Sequence, residues 1–359
     1  YGLSGNDYLA DSSNNIVRFP YLTTVNMNKA LYVWFSPNFV KQTGHEIKTV
    51  GNPLATWEES TKLNVGLELG LFDALTLNVD VYKENRTGIF MQRRSLPSTM
   101  GLSGVTPYGN LGEVENRGVD VSLEYNKAFN KDLLVSVRGT FTYAHNEVKA
   151  RDEAKYLPNK YNSVLGKPVN SVYGLVADGL FASQEEIDNS PRQTFMPDYL
   201  PGDIKYRDMN GDGVIDENDR YYLGNAFPRY TVGFTYNVAW KGIDLSIFLQ
   251  GVLKRDMMIR GELVEPFHSN YGYTMYEHQL DFWTPTNTDA RWPRLTDISD
   301  PSNQNNWRMG SDIYMFDGSY LRLKNIQLGY TLPERISKKF GVQKFKIYFN
   351  AENLLTFTE

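Results

Sequence analysis

The clearest pattern of hydrophobic and polar positions lies in residues 229–252, RYTVGFTYNVAWKGIDLSIFLQGV. Apolar and small or polar residues alternate before and after the dipeptide Lys241-Gly242, with Phe248 as an exception on the polar side. The apolar positions are Val232, Phe234, Tyr236, Val238 and Trp240, then Ile243, Leu245, Ile247 and Leu249. Period two on both sides of a short turn predicts an antiparallel β-hairpin. Each arm has about 10 residues, the length that a tilted strand needs to cross a bilayer.

Three further segment pairs have the same pattern: 62–72 with 75–82, 119–126 with 133–143, and 320–332 with 345–349. Within 320–332 the alternation changes phase, which predicts a β-bulge near Lys324-Asn325. A short amphipathic piece, 335–340, joins the last two strands. Residues 1–60 are rich in Ser, Asn, Gly and Pro and predict no strand.

The connections differ in length according to their position. Those within hairpins are short, whereas those between hairpins cover 84–116, 145–229 and 254–318. Loops longer than about 15 residues are uncommon in compact domains. Because alternate connections of an antiparallel sheet lie at one end of it, all the long loops share that end. Outer-membrane barrels have short periplasmic turns and long external loops.

We therefore predict an all-β fold: an antiparallel transmembrane β-barrel segment of about eight strands, with long extracellular loops and with its apolar face in lipid. Eight strands close around little more than their own side chains. The small polar residues on the other face suit a wider barrel, so we expect further strands. One alternative stays open, because sandwich strands show the same alternation. It is a secreted, soluble β-rich carbohydrate-binding or adhesion protein with a calcium-stabilised loop.

Composition narrows the function classes. The chain has 359 residues and no cysteine, which excludes disulfide scaffolds, zinc ribbons and thiol catalysis. Its net charge of -5 and the lack of a Lys/Arg run argue against a nucleic-acid partner. Aromatic residues make up 14%, a share that suits the aromatic girdles of a membrane barrel and equally a carbohydrate- or peptide-binding surface.

No catalytic pattern is present, so we do not expect an enzyme. The histidines, His45, His145, His268 and His278, are far apart, and no HExxH, Walker, GxGxxG or GxSxG motif occurs. The pair Glu185-Glu186 fits a short exposed helix. Three tryptophans in the last long loop would either stack on sugar rings or pack loop on loop, and loop packing is favoured: Trp283, Trp292 and Trp307.

The sharpest local motif is DMNGDGVIDEND, residues 208–219. Six positions match the ligand positions of a calcium loop: Asp208, Asn210, Asp212, the carbonyl of Val214, Asp216 and Asp219. Gly213 stands where such a loop turns sharply, and Asp219 replaces the usual Glu. We predict a Ca²⁺ ion that stiffens an exposed loop, with a solvated turn as the structural alternative.

Seven stretches carry a family resemblance: NPLATWEESTKLNVGLELGLFD (52–73), NRGVDVSLEY (116–125), SVYGLVADGLFASQEEI (171–187), GDIKYRDMNGDGVIDEND (202–219), FWTPTNTDARWPRL (282–295), DGSYLRLKNIQLGYTLP (317–333) and NAENLLTFTE (350–359). As an ordered set they resemble the C-terminal barrel half of SusC/RagA-family TonB-dependent outer-membrane transporters of Bacteroidetes.

That resemblance implies a barrel of about 22 strands, a plug domain, and active import of oligosaccharides or peptides driven through TonB. It also implies a SusD-like lipoprotein on the outer face, and contacts with membrane lipid and lipopolysaccharide. On this reading residues 1–359 are a partial barrel domain without the plug and the last strand. The calcium-type loop 202–219 then lies inside the extracellular loop 145–229.

Overall fold

The computed structural model describes residues 1–9, 16–33, 40–100, 105, 107–153, 162–196, 198–267, 274–296, 300, 303–307 and 310–358. Its strands are β1 (Gly2–Asn6), β2 (Thr24–Val33), β3 (Val40–Thr49), β4 (Glu58–Leu71), β5 (Leu75–Gln92), β6 (Tyr108–Ala128), β7 (Leu133–Ala150), β8 (Ser171–Gly174), β9 (Ala177–Leu180), β10 (Arg192–Gln193), β11 (Ile204–Tyr206), β12 (Val214–Ile215), β13 (Tyr221–Asn225), β14 (Tyr230–Trp240), β15 (Ile243–Leu253), β16 (Asp256–Met258), β17 (Met315–Asp317), β18 (Tyr320–Thr331) and β19 (Lys346–Phe357). Its helices are α1 (Gln184–Asp188), α2 (Asn303–Trp307) and α3 (Glu334–Ser337). Among the described residues, none of the helices has the length and apolar character needed to cross a membrane.

In the described part of the chain, nine strands form one antiparallel sheet in the order β1-β4-β5-β6-β7-β14-β15-β18-β19. The four predicted hairpins supply eight of these strands, so the predicted antiparallel barrel wall is confirmed. The sheet is an open segment with β1 and β19 at its edges. The bulge is also confirmed, because Leu323 pairs with Leu249 and Asn325 with Phe248, and Lys324 is left between them.

The expectation that residues 1–60 contain no strand is wrong. β1 pairs with β4, with Gly2 opposite Lys62, and β2 pairs with β3 as a separate hairpin. The sequence of β1, GLSGN, has one large apolar residue, so it contains no alternation of apolar and polar residues that would predict a strand. Its place is set by backbone hydrogen bonding to β4 rather than by a buried face.

The strand register aligns the apolar positions of all the hairpins on one face. One cross-strand row contains Leu69, Leu77, Leu123, Gly139, Phe234, Leu249 and Leu323. On β14 this face runs from Tyr230 to Trp240, which is roughly 33 Å of strand at about 3.3 Å per residue. A tilt of about 40° reduces that to a height of about 25 Å, the height of the apolar band of an outer-membrane barrel.

Aromatic residues mark both limits of this apolar face. At the loop end, Tyr143 and Tyr230 lie side by side with ring centroids 5.3 Å apart. At the turn end, one row contains Trp240, Ile243, Tyr330 and Ile347. The positions match the two girdles that outer-membrane barrels place at the membrane surfaces.

The strands run further toward the long loops than the sequence predicts. β5 continues to Gln92, β6 begins at Tyr108 and β7 continues to Ala150. The loops predicted as 84–116 and 145–229 therefore shorten to 93–107 and 151–229. Beyond the apolar band neither face needs to match lipid, so the ladder continues with polar pairs such as Lys83–Glu115 at 2.8 Å, and the alternation disappears.

Candidate functional site

The face opposite the apolar band is polar and internally hydrogen-bonded. Side-chain hydrogen bonds link neighbouring strands; examples are Asn64–Asp80 at 3.0 Å, Asn78–Ser122 at 3.3 Å, Asn237–Ser246 at 2.6 Å and Asn325–Asn350 at 3.0 Å. Barrels that enclose water have such a lining on the inside. This face is therefore the channel side of the wall.

The two longest loops pack together at one end of the sheet, and we call the described residues of 162–229 and 254–319 the loop module. Its core draws on both loops: Leu175, Ile204, Tyr206, Ile215, Val264, Trp292, Trp307 and Tyr314. Trp292 and Trp307 are buried, and Trp283 lies so close to Gly202 that a Cβ there would have no room. The prediction that these tryptophans pack loop on loop is confirmed.

A buried ion pair joins the two loops of the module. The Asp203 carboxylate is fully buried and accepts from Arg294 Nε at 2.8 Å. It also accepts from Asn306 Nδ2 at 2.9 Å and from the Leu200 amide at 2.8 Å. Arg294 also forms an ion pair with Asp300, with 3.0 Å between Nη2 and Oδ2. Separating the two loops would leave a buried charge without its partner, which is unfavourable. The contacts of Asp203 and Arg294 therefore hold the two loops in one relative position.

Neutral hydrogen bonds surround this pair. The Ile204 amide donates to Asn306 Oδ1 at 2.8 Å, and the Tyr206 amide donates to Gln193 Oε1 at 2.7 Å. The Tyr206 hydroxyl donates to the Asn305 carbonyl at 2.7 Å, and burial raises the pKa of Tyr206 above its usual range. Because each acceptor lies in a different segment from its donor, β11 is held by side chains distant in sequence.

A cavity of about 540 Å³ lies between the loop module and the ends of the strands. Asn116, Asn146, Tyr222 and Asn225 line it together with four charged residues, Arg229, Lys254, Asp256 and Asp317. A second cavity of about 380 Å³ has a more apolar wall, which includes Phe90, Tyr108, Val114, Val148 and Val169. Both lie at the loop end of the sheet.

The residues considered for catalysis do not come together in the described structure. His145 borders the larger cavity, His278 Nε2 lies 2.6 Å from the Leu263 carbonyl, and His45 is on β3. His268 lies outside the described residues. The predicted short helix is confirmed as α1, where a hydrogen bond from Lys205 lowers the pKa of Glu186.

The calcium-type loop is held by carboxylate-to-amide hydrogen bonds. Asp208 accepts from the Gly211 amide at 2.6 Å and from the Gly213 amide at 2.8 Å. Asp219 is buried and accepts from the Met209 amide at 2.8 Å and the Asp216 amide at 2.7 Å. Burial raises the pKa of Asp219, and the Asp208 carboxylate adds to that effect. Gly213 has a φ of 82°, the left-handed conformation expected at the sharp turn.

The donor set suits a hard cation, because every side-chain ligand offers oxygen and a carboxylate oxygen that accepts one hydrogen bond keeps a second lone pair. In the described residues, however, no group of three or more His, Cys, Asp or Glu side chains is arranged to hold a metal ion. Calcium binding would thus draw the ligands inward, and it stays a prediction.

The comparisons with known proteins decide the family. A family model described as TonB dependent receptor-like, β-barrel matches residues 14–254. The chain belongs to the TonB-dependent receptor β-barrel family. It is therefore a part of an outer-membrane barrel, and this location contradicts the alternative of a soluble secreted protein. The family is one of receptors and transporters rather than a class of enzymes.

Individual relatives agree with this assignment. TonB-dependent receptor P3 of Formosa agariphila is 30% identical over 325 residues, which cover 84% of this chain and 30% of that protein. TonB-dependent receptor SusC of Bacteroides thetaiotaomicron is 23% identical, over 92% of this chain and 31% of that protein. The chain thus spans about a third of the length of these curated relatives.

Among solved structures, the RagAB peptide transporter matches with a TM-score of 0.67 and 22% identity, over 99% of this chain and 36% of that chain. The match supports the fold across nearly the whole chain. It extends to the loop module. The sequence predicted the packing of the tryptophans there but not the other contacts between the two loops.

Proposed function

We propose that the whole protein, of which this chain forms part of the barrel wall, actively imports a peptide or an oligosaccharide across the outer membrane in a TonB-dependent manner. The observation that carries the proposal is a sheet with one apolar and one polar, hydrogen-bonded face, and with long loops that pack together at one of its ends. The long loops face outward in this proposal, and a SusD-like lipoprotein closes over them. SusC and the RagAB peptide transporter, to which the chain is similar, support this choice.

The charges of the larger cavity favour a peptide. Two cations, Arg229 and Lys254, and two carboxylates, Asp256 and Asp317, line it. A peptide carries both charges at its termini and a chain of amides between them, so it can form charge-assisted hydrogen bonds with groups of both signs, whereas a neutral oligosaccharide offers them only neutral hydrogen bonds.

The import proposal is tested in cells that produce the whole protein, a deletion strain, and a strain without TonB. Each receives a labelled oligopeptide and a labelled neutral oligosaccharide of similar size. We expect peptide accumulation that requires both the protein and TonB. Equal accumulation of both compounds in all three strains would contradict import by this protein.

An exposed apolar patch marks the place where we propose that the lipoprotein docks. Leu263 and Tyr276 are 55% and 41% exposed. His278 joins them, since its ring stacks on Tyr276 and its Nε2 lies 2.6 Å from the Leu263 carbonyl. Clustered exposed apolar residues of this kind mark interaction surfaces.

The docking proposal predicts that Leu263→Asp combined with Tyr276→Asp reduces co-purification of the lipoprotein with the whole protein. Leu200→Asp is the control, because Leu200 is similarly exposed at 47% but is not among the residues that define the patch. Equal recovery of lipoprotein with the patch variant and the control would contradict docking at this patch.

We also propose that Ca²⁺ binds residues 208–219 through Asp208, Asn210, Asp212, the Val214 carbonyl, Asp216 and Asp219, and stiffens that loop. Calcium should slow amide exchange of Gly211 and Gly213 relative to chelator. Asp212→Asn should reduce the effect, whereas Glu217→Gln, at an exposed position that is not a proposed ligand, should not. Identical exchange with calcium and with chelator would refute the site.

A further inference from the structure

The turn that joins β18 to β19 differs from the other turns at its end of the sheet. The turn between β14 and β15 consists of Lys241 and Gly242, whereas residues 332–345 contain α3 and a 3₁₀ turn, Lys338–Phe340. We call residues 332–345 the basic turn. Its secondary structure agrees with the amphipathic piece predicted at 335–340.

The basic turn exposes a set of large apolar side chains. Four of them remain open to solvent: Ile336 at 43%, Phe340 at 76%, Val342 at 39% and Phe345 at 45%. Ile336 lies on α3, and Phe340 lies in the 3₁₀ turn that follows it directly. The interior of the turn is closed by Ser337, which is buried and hydrogen-bonds to the Glu334 and Gln343 carbonyls. The exposed set is therefore not the turn's own core.

Cations accompany these apolar residues. The turn carries Arg335, Lys338, Lys339 and Lys344 against the single acid Glu334, although the whole chain has a net charge of -5. Glu334 pairs with Lys338 at 2.6 Å. In the described part of the chain, Arg335, Lys339 and Lys344 have no ion-pair partner.

The strand register places the basic turn at the boundary of the membrane. Trp240, Ile243, Tyr330 and Ile347 form the last row of the lipid-facing side. The basic turn begins two residues after Tyr330 and ends two residues before Ile347. Phe345 shares the strand parity of Ile347, and the Leu332 amide donates to the Phe345 carbonyl at 2.9 Å. The apolar side of the turn thus continues the lipid-facing surface.

We propose that the basic turn is a lipid-binding site for anionic phospholipid headgroups in the membrane leaflet at the turn end of the barrel. Ile336, Phe340 and Val342 enter the boundary between headgroups and acyl chains. The lipid phosphates, which lie further from the acyl chains, are bound by Arg335, Lys339 and Lys344. Interfacial helices bind membranes by this combination of apolar and basic faces, and each Lys or Arg near an anionic surface adds to the attraction.

The test uses the whole protein without other cysteines, reconstituted in vesicles, with a spin label at Phe340→Cys. In vesicles containing phosphatidylglycerol, we expect the label to collide with oxygen more than with a water-soluble nickel chelate. Leu328→Cys on the lipid-facing side and Glu185→Cys in the loop module give the two reference values. A label as water-accessible as that at Glu185→Cys would overturn the proposal, and so would a label shielded from both reagents, which indicates packing on protein.

The headgroup charge is tested separately. Replacing phosphatidylglycerol with phosphatidylcholine should shift the label toward water, and so should Arg335→Glu with Lys339→Glu. The expected loss is about fivefold in the ratio of lipid-seated to water-exposed label for each cation removed. Arg192→Glu in the loop module is the control for net charge. A label depth that responds neither to lipid charge nor to the double reversal would overturn the binding of anionic headgroups.

Discussion

Replacing Arg294 with methionine should open the loop module locally without unfolding the barrel wall. Met keeps much of the side-chain volume but removes the charge. The Asp203 carboxylate then stays fully buried without its cation. Breaking a buried pair in this way costs about 3–5 kcal/mol. Asp203 retains the hydrogen bonds from Asn306 and from the Leu200 amide, so we expect the lower end, about 3 kcal/mol.

The effect is measured by amide hydrogen exchange of Ile204 and Tyr206 in the whole protein, because both amides donate to acceptors elsewhere in the module. A loss of about 3 kcal/mol corresponds to exchange that is faster by roughly two orders of magnitude. Lys205→Met is the matched control. It breaks the partly exposed pair with Glu186, and such pairs contribute at most about 1 kcal/mol.

A double variant separates lost charge from lost packing. Adding Asp203→Asn to Arg294→Met removes the buried carboxylate charge that Arg294 balances in the native protein, so protection should partly return. If Arg294→Met accelerates exchange of the Ile204 amide no more than Lys205→Met does, the buried pair does not hold the two loops together, and the reasoning fails.

Three further predictions concern the wall and the calcium-type loop. Phe234→Arg should destabilise the folded barrel in lipid by about 2–4 kcal/mol, whereas Thr235→Arg on the channel side should cost clearly less; equal losses in denaturant titrations would contradict the lipid-facing assignment. Gly242→Ala should cost about 1–3 kcal/mol in the same titrations, because Gly242 has a φ of 88° and a Cβ would lie 2.6 Å from the Thr331 carbonyl oxygen, whereas Gly70→Ala meets no atom within 4 Å; similar losses for the two would count against a strained turn. Burial raises the pKa of Asp219, so the loop 208–219 should be most stable below the pKa that Asp219 has in the unfolded chain and should lose stability as the pH rises through its folded pKa. Amide protection measured in chelator should therefore fall with rising pH; Asp219→Asn should weaken this pH dependence, and calcium should oppose it.

The sequence predicted the four membrane hairpins because lipid on one face and water on the other impose period two. The turn was also predictable from the dipeptide Lys241-Gly242 between two alternating segments. Both residues have positive φ, as a tight two-residue hairpin turn requires. β1 was not predicted, because the sequence GLSGN shows no alternation of apolar and polar residues and its pairing with β4 involves residues far along the chain.

The interior of the loop module could not be predicted from local patterns. Asp203 and Arg294 are 91 residues apart, and Gln193 and Asn305 are 112 residues apart. No periodicity links such residues, because both intervals contain the hairpin β14–β15 as well as irregular loop. The calcium-type motif was visible because its proposed ligands all lie within residues 208–219, yet its occupancy depends on how far the hydrogen-bonded carboxylates move.

The most direct measurement is the labelling of intact cells with a membrane-impermeant maleimide. The chain contains no cysteine, so single residues report cleanly if the rest of the protein is also cysteine-free. We expect Glu185→Cys in the loop module to react in intact cells. Asp132→Cys, in the turn between β6 and β7, should react only after the outer membrane is permeabilised. Labelling of Asp132→Cys in intact cells with Glu185→Cys protected would contradict the orientation, and equal labelling of both would contradict a wall that spans the membrane.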